Sequence, residues 1–193
     1  DRSLHNNQLL ELPGSFGLLP ALRWLELHGN RLPALPEGFC GLRALEWLRL
    51  EDNALEVLPE AFGRIGTLQH LRAGGNRLAR LPRSCGQLLK LEALHLEDNL
   101  LTVLPESLGL LGSLRYLGVQ RNLLRELPRE LCNLRSLQTL RVSGNRLDAV
   151  PTGLDAMPNL KDLQLGPLNR LRAALLALWT GSARGGQARD CGS

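Results

Sequence analysis

The sequence predicts an α/β solenoid, a stack of similar coils each made of one short strand and one return turn. Three observations predict it. Asn7, Asn30, Asn53, Asn76, Asn99, Asn122 and Asn145 follow one another at intervals of 23 residues without an insertion. Leucines keep fixed offsets from each asparagine, as Leu45, Leu48 and Leu55 do around Asn53, and a proline lies six residues after it, from Pro13 to Pro151. The apolar content is also of one kind: leucine dominates, against 3 Phe, 1 Tyr and 1 Met.

Each unit reads L-x-x-L-x-L-x-x-N-x-L-x-x-x-L-P. The L-x-L portion alternates with period two, which is the pattern of a short strand with one apolar face. The L-P that follows cannot extend the strand, because proline has no backbone donor for a ladder. After Pro59, Phe62 and Ile65 lie three apart, which predicts a short helical or 3-10 turn. One coil cannot cover its own leucines, so the coils must stack. The asparagines serve that stacking: an amide both donates and accepts, and can satisfy the turns of adjacent coils.

Departures from the pattern predict local differences. Ala73 stands where leucine or valine is usual, with Gly74 and Gly75 after it, so that coil is expected to have less core volume and a barer surface. Leu168 occupies the asparagine position, which ends the array, and residues 1–166 form about seven and a half coils. Leu168, Leu171, Leu175 and Leu178 then share one helical face, predicting a capping helix over 167–180. Residues 181–193 are rich in Gly, Ser and Arg and read as a disordered tail. Asp1 begins in mid-repeat, so the natural protein is expected to extend upstream.

The stretch LHGNRLPALPEGFCGLRALEWLRLEDNAL resembles the leucine-rich-repeat family, and the resemblance covers residues 1 to about 166. The 23-residue unit with L-P is similar to the intracellular scaffold group containing Scribble, Erbin and the Ras-binding repeat proteins. That resemblance implies a right-handed leucine-rich-repeat horseshoe, with parallel strands on the concave face and short helical or 3-10 turns on the convex face. It also implies signalling or polarity partners, without naming one.

Composition narrows the function. No basic-then-apolar leader opens the chain, and no run of roughly 18 apolar residues could span a membrane. The net charge of +4 is concentrated after Gly166, where Arg170, Arg172, Arg184 and Arg189 face only Asp190. The repeats are nearly neutral, so a nucleic-acid partner is disfavoured. Binding through the arginine tail would be abolished by deleting residues 181–193 and would fall steeply with salt. Cys40, Cys85 and Cys132 recur near one slot of the repeat, and the nearest two are two coils, roughly 10 Å, apart. A disulfide needs Cα atoms within roughly 7 Å, so these are read as small hydrophobes of the convex layer. With no N-x-S/T site and no cysteine-rich cap, the chain reads as cytoplasmic.

If the strand leucines face the core, three outward columns remain. The first is Asp1, Trp24, Trp47, His70, Ala93, Tyr116, Thr139 and Asp162. The second is Ser3, Glu26, Arg49, Arg72, His95, Gly118, Arg141 and Gln164, and the third His5, His28, Glu51, Gly74, Glu97, Gln120, Ser143 and Gly166. Two of the 3 tryptophans, the only tyrosine and all 4 histidines fall in them. Aromatic residues and arginine on a surface are the composition of protein-binding hot spots. The partner-binding candidates are Trp24, Trp47 and Tyr116 as apolar anchors, with Glu26, Arg49, Glu51, Arg72, His95, Glu97 and Arg141 giving charge complementarity and His28 and His70 completing the face. The alternative is solvated decoration, in which Trp24 and Trp47 shield each other and Glu26 and Arg49 form an exposed pair.

Metal binding by His5, His28 and Glu51 is disfavoured, since three open ligands on a flat sheet make a poor cage without supporting groups. His95, Glu97 and Asp98 superficially resemble acid–base residues, but a strand face without a nucleophile argues against catalysis. No phosphate loop or triad is visible. The chain therefore reads as a non-catalytic interaction module without cofactor or small-molecule substrate, binding a protein partner through its concave face. The alternative is a regulatory repeat segment of a larger signalling protein.

Overall fold

The computed structural model describes residues 1–166. The expected cap at 167–180 and tail at 181–193 lie outside the described residues. Eight strands form one parallel sheet in chain order: β1 (Arg2–Ser3), β2 (Trp24–Glu26), β3 (Trp47–Arg49), β4 (His70–Arg72), β5 (Ala93–His95), β6 (Tyr116–Gly118), β7 (Thr139–Arg141) and β8 (Asp162–Gln164). The register never slips: Leu25, Leu48, Leu71, Leu94, Leu117, Leu140 and Leu163 pair in one line. A one-residue slip would turn every such leucine to water, which is why the repeat holds the pairing so firmly.

The return segments are all 3-10 turns among the described residues, from Gly14–Leu18 to Leu154–Ala156. The L-P step explains this. Pro36, Pro82, Pro105 and Pro128 sit at φ between −62° and −68° in extended backbone, directly before the turn. Each proline carbonyl accepts the N–H three residues on, as Pro36 does from Phe39 at 2.9 Å. Proline thus opens the turn by supplying a preset acceptor, while the strands end ten residues earlier, as β2 does at Glu26 before Pro36.

Between sheet and turns runs a continuous core from Leu12 to Met157, in which Leu25, Leu48, Phe39, Phe62 and Ile65 are fully buried. The core thins at both described ends, where Leu4 and Leu9 of the first coil and Leu160, Leu163 and Leu165 of the last are only partly buried.

The asparagine column acts as expected. Asn99 accepts the Leu78 N–H at 2.9 Å and donates to the carbonyls of Ala73 at 2.9 Å and Leu96 at 3.1 Å, joining two coils through one amide. Asn30, Asn76, Asn122 and Asn145 repeat the pattern and are buried. A second polar column is present that the sequence reading did not find. Thr67, Ser113, Ser136 and Asn159 each donate to a carbonyl 24 residues back, namely those of Arg43, Leu89, Gly112 and Arg135.

The residue before each asparagine is left-handed. Asn6, Gly29, Asp52, Gly75, Asp98, Arg121 and Gly144 lie at φ between 53° and 69°. Asn6 and Asp52 each place a side-chain oxygen where the Cβ of Gly29 or Gly75 would stand. The expectation of a barer surface at Gly74 is corrected for the same kind of reason. The Glu97 side chain lies across it, 3.0 Å from where a Cβ would be.

Candidate functional site

The strands carry the first two outward columns, and in the first Trp24, Trp47, His70, Ala93 and Tyr116 are register partners in succession. Glu26, Arg49, Arg72, His95, Gly118 and Arg141 follow likewise in the second column. The nine candidates of these two columns share one face of the sheet. His28, Glu51 and Glu97 lie two residues past the strand ends, with Glu51 against Arg49 and Glu97 against His95, and the set forms two clusters.

The first cluster is aromatic at its centre. The rings of Trp24 and Trp47 stack at 4.4 Å with planes 5° apart, and Trp47 meets His70 at 4.0 Å and 35°. Parallel strands alone set this spacing, because ring-bearing residues at equal register lie one strand separation apart. Trp24 remains 38% exposed at the open end of the stack. A shallow pocket of about 390 Å³ adjoins it, lined by Asp1, Arg23, Trp24, Glu46, Trp47, Gln69 and His70. Beside the aromatics the charges alternate. Arg49 lies 3.6 Å from Glu26 and 3.2 Å from Glu51, and Arg72 is 4.0 Å from Glu51. A hydrogen bond from Ser3 holds the Glu26 carboxyl below the usual range against the effect of burial, helped by Trp24 and Arg49. Burial pushes both His28 and His70 down, so both resist protonation.

The second cluster centres on Tyr116, which stacks on His95 at 4.3 Å, with the Arg141 guanidinium 5.6 Å from its ring centre. That contact is of cation–π type. His95 lies 3.8 Å from Glu97; although burial acts to raise it, the Glu97 carboxyl is held below its ordinary value by the His95 hydrogen bond and its own backbone. Asp98, grouped with His95 and Glu97 in the sequence, is instead engaged by Arg121 of the next coil, which lowers its carboxyl.

One feature of the face was not visible in the sequence. His28 Nδ1, Trp47 Nε1, Glu97 Oε2, Gln120 Oε1 and Arg141 Nε are buried atoms without a hydrogen-bond partner. Every buried, unpartnered side-chain nitrogen or oxygen among the described residues belongs to an outward column. Native proteins seldom leave such groups unsatisfied. Gln120, absent from the candidate set, joins it here, and column membership was the signal that could have found it.

The cysteines behave as packing residues. Cys40 and Cys85 are buried and free, Cys132 is half-buried and free, and burial pushes the Cys85 thiol up to about 12. Among the described residues no helix is long and apolar enough to cross a membrane.

A leucine-rich-repeat family profile matches residues 89–147. No curated protein sequence matches the chain. Among solved structures, a leucine-rich-repeat protein of Leptospira interrogans superposes with a TM-score of 0.70 at 25% identity, over 95% of this chain and 53% of that one. The leucine-rich-repeat domain of the type III effector XopL gives 0.75 at 28% identity, over 81% and 56%. The plant peptide hormone receptor RGFR1, solved in complex with RGF2, gives 0.67 at 26% identity, over 83% and 31%. The chain thus spans at most 56% of the length of these structures.

Proposed function

On the premise that the chain is a leucine-rich-repeat solenoid, we propose that it is a non-catalytic module binding a protein partner through the concave face. The observation that carries this reading is the gathering of unpartnered buried polar atoms on that face. A partner would satisfy these atoms on docking, and each orphaned group carries a desolvation cost of about 1–3 kcal/mol that a partner can relieve. The stacked tryptophans supply the apolar anchor, and the alternating Glu26, Arg49, Glu51 and Arg72 supply register and steering. The plant receptor with its bound RGF2 is an example of the same fold engaged with a ligand. Reduced, packed cysteines support a cytoplasmic setting, in which the 23-residue L-P repeat fits a signalling scaffold.

Stacking contributes rigidity. The face is fixed by the leucine core and the asparagine column, so binding costs little conformational entropy. Affinity capture from cell lysate, comparing the wild-type chain with Trp24→Ala/Trp47→Ala, tests the reading. Loss of the specifically captured proteins is expected while circular dichroism stays unchanged. Identical capture by both proteins would sink it.

A further inference from the structure

At the first edge of the sheet, the geometry points to a zinc site formed by His5, Glu26 and His28. His5 and His28 occupy the same column on consecutive coils, and their rings stack at 4.7 Å with planes 3° apart. Glu26 ends β2, two residues before His28 and in register with Ser3, and its Oε2 is 3.4 Å from His5 Nδ1. One ligand atom from each of the three lies within 4.8 Å of the other two. Two imidazoles and a carboxylate are a zinc-binding set that leaves a fourth position open.

The objection that a flat sheet makes a poor cage applied to Glu51, and the structure changes the acidic member. Arg49 and Arg72 both engage Glu51, whereas Glu26 meets Arg49 through Oε1 alone and turns Oε2 toward His5. Glu26 also has the outer support that a metal ligand needs. Ser3 Oγ donates to Oε2 at 2.9 Å and Arg49 lies 3.6 Å from Oε1, so the carboxylate is held from both sides. His28 Nδ1 has no protein partner. Ligand atoms bound tetrahedrally at about 2.0–2.2 Å from zinc sit roughly 3.5 Å apart. Closing the remaining gap requires His5 to turn and its Nδ1 to leave the Ser3 hydroxyl, and its side chain, just past β1, is 42% exposed. This site does not depend on the protein-partner reading, because zinc itself is the measured ligand.

Titration of the untagged chain with zinc sulfate, followed by calorimetry, tests it. One site is expected, and zinc should shift the imidazole nitrogen resonances of His5 and His28 while leaving those of His70 and His95 in place. His5→Ala/His28→Ala should weaken zinc at least about tenfold, and so should the isosteric Glu26→Gln, which keeps the strand pairing. Absence of zinc binding, or undiminished binding by either variant, overturns the site.

Discussion

His70 shows how much one residue's environment decides. In the sequence it is one more polar residue of an outward column, yet in the fold it lies against Trp47 at 4.0 Å. Burial lowers its pKa against the pull of Glu92, with Arg72 and His95 acting in the same direction as burial. The sign follows from proton binding. The unfolded histidine takes a proton near its ordinary value of 6.5, while the folded one resists until the pH is lower. Stability is therefore unaffected above the unfolded pKa and declines as pH falls through it toward the folded value. Urea unfolding of wild type and His70→Gln between pH 7.5 and 5.5 should show the wild type losing more stability. Parallel curves would remove His70 from the account. Glu26, Glu97 and Asp98 are held below their ordinary values, so their contribution is lost only at more acid pH, and His28, lowered by burial like His70, acts equally in both proteins and cancels in the comparison.

At the scale of the element, the coil is held to its neighbour by two polar columns and a close turn-to-turn approach. Asn99 is the clearest member, at 4% exposure with partners in the preceding coil and its own. Asn99→Leu keeps the size but orphans the buried Leu78 N–H, while the Ala73 and Leu96 carbonyls keep Asn76 and Asn122 as donors. A loss of about 1–3 kcal/mol is expected from urea unfolding, the cost of one unsatisfied buried group. A loss below about 1 kcal/mol would show that water replaces the amide. The turns show why small residues recur there. A Cβ on Gly86 would stand 2.4 Å from the Ser107 carbonyl oxygen, so adjacent turns meet backbone to backbone. The repeated asparagine was legible from spacing and chemistry together. The hydroxyl column of Thr67, Ser113 and Ser136 was not, because Lys90 interrupts it in the sequence and only stacking shows what its oxygens reach.

For the whole molecule, a linear stack makes stability depend on position. Each strand pairs only with its sequence neighbours, so an end coil has one covered side where an inner coil has two. The core thins at both described ends: Leu4, Leu9, Leu160, Leu163 and Leu165 are partly buried, while Leu48, Leu50 and Leu55 are fully buried. Amide hydrogen exchange should therefore be faster in residues 1–12 than in residues 45–78, with protection rising over the first two coils. Uniform protection would contradict a nearest-neighbour stack. The gradient also bears on function, since Trp24 and the histidine pair lie toward a less covered end and Tyr116 with Arg141 lies well inside the array.

The sequence by itself determined the fold and the membership of the outward face. An unbroken 23-residue spacing leaves one way to stack leucines, and period-two alternation then assigns every remaining strand residue to the other side. Trp24, Trp47, His70, Tyr116 and Arg141 could therefore be placed on that face before any coordinate was known. Only the tertiary structure decided what those residues do to one another. Glu51 and Glu26 both point outward, yet Glu51 is shared by Arg49 and Arg72, whereas Glu26 meets Arg49 through one oxygen and turns the other to His5. Gly74 is covered by Glu97 rather than bare, and His28, Trp47, Glu97, Gln120 and Arg141 are left with unpartnered buried atoms. Periodicity specifies a side chain's direction but not its rotamer. Ion-pair choice, ring stacking and unmet hydrogen bonds depend on rotamers packed against neighbours 23 residues away.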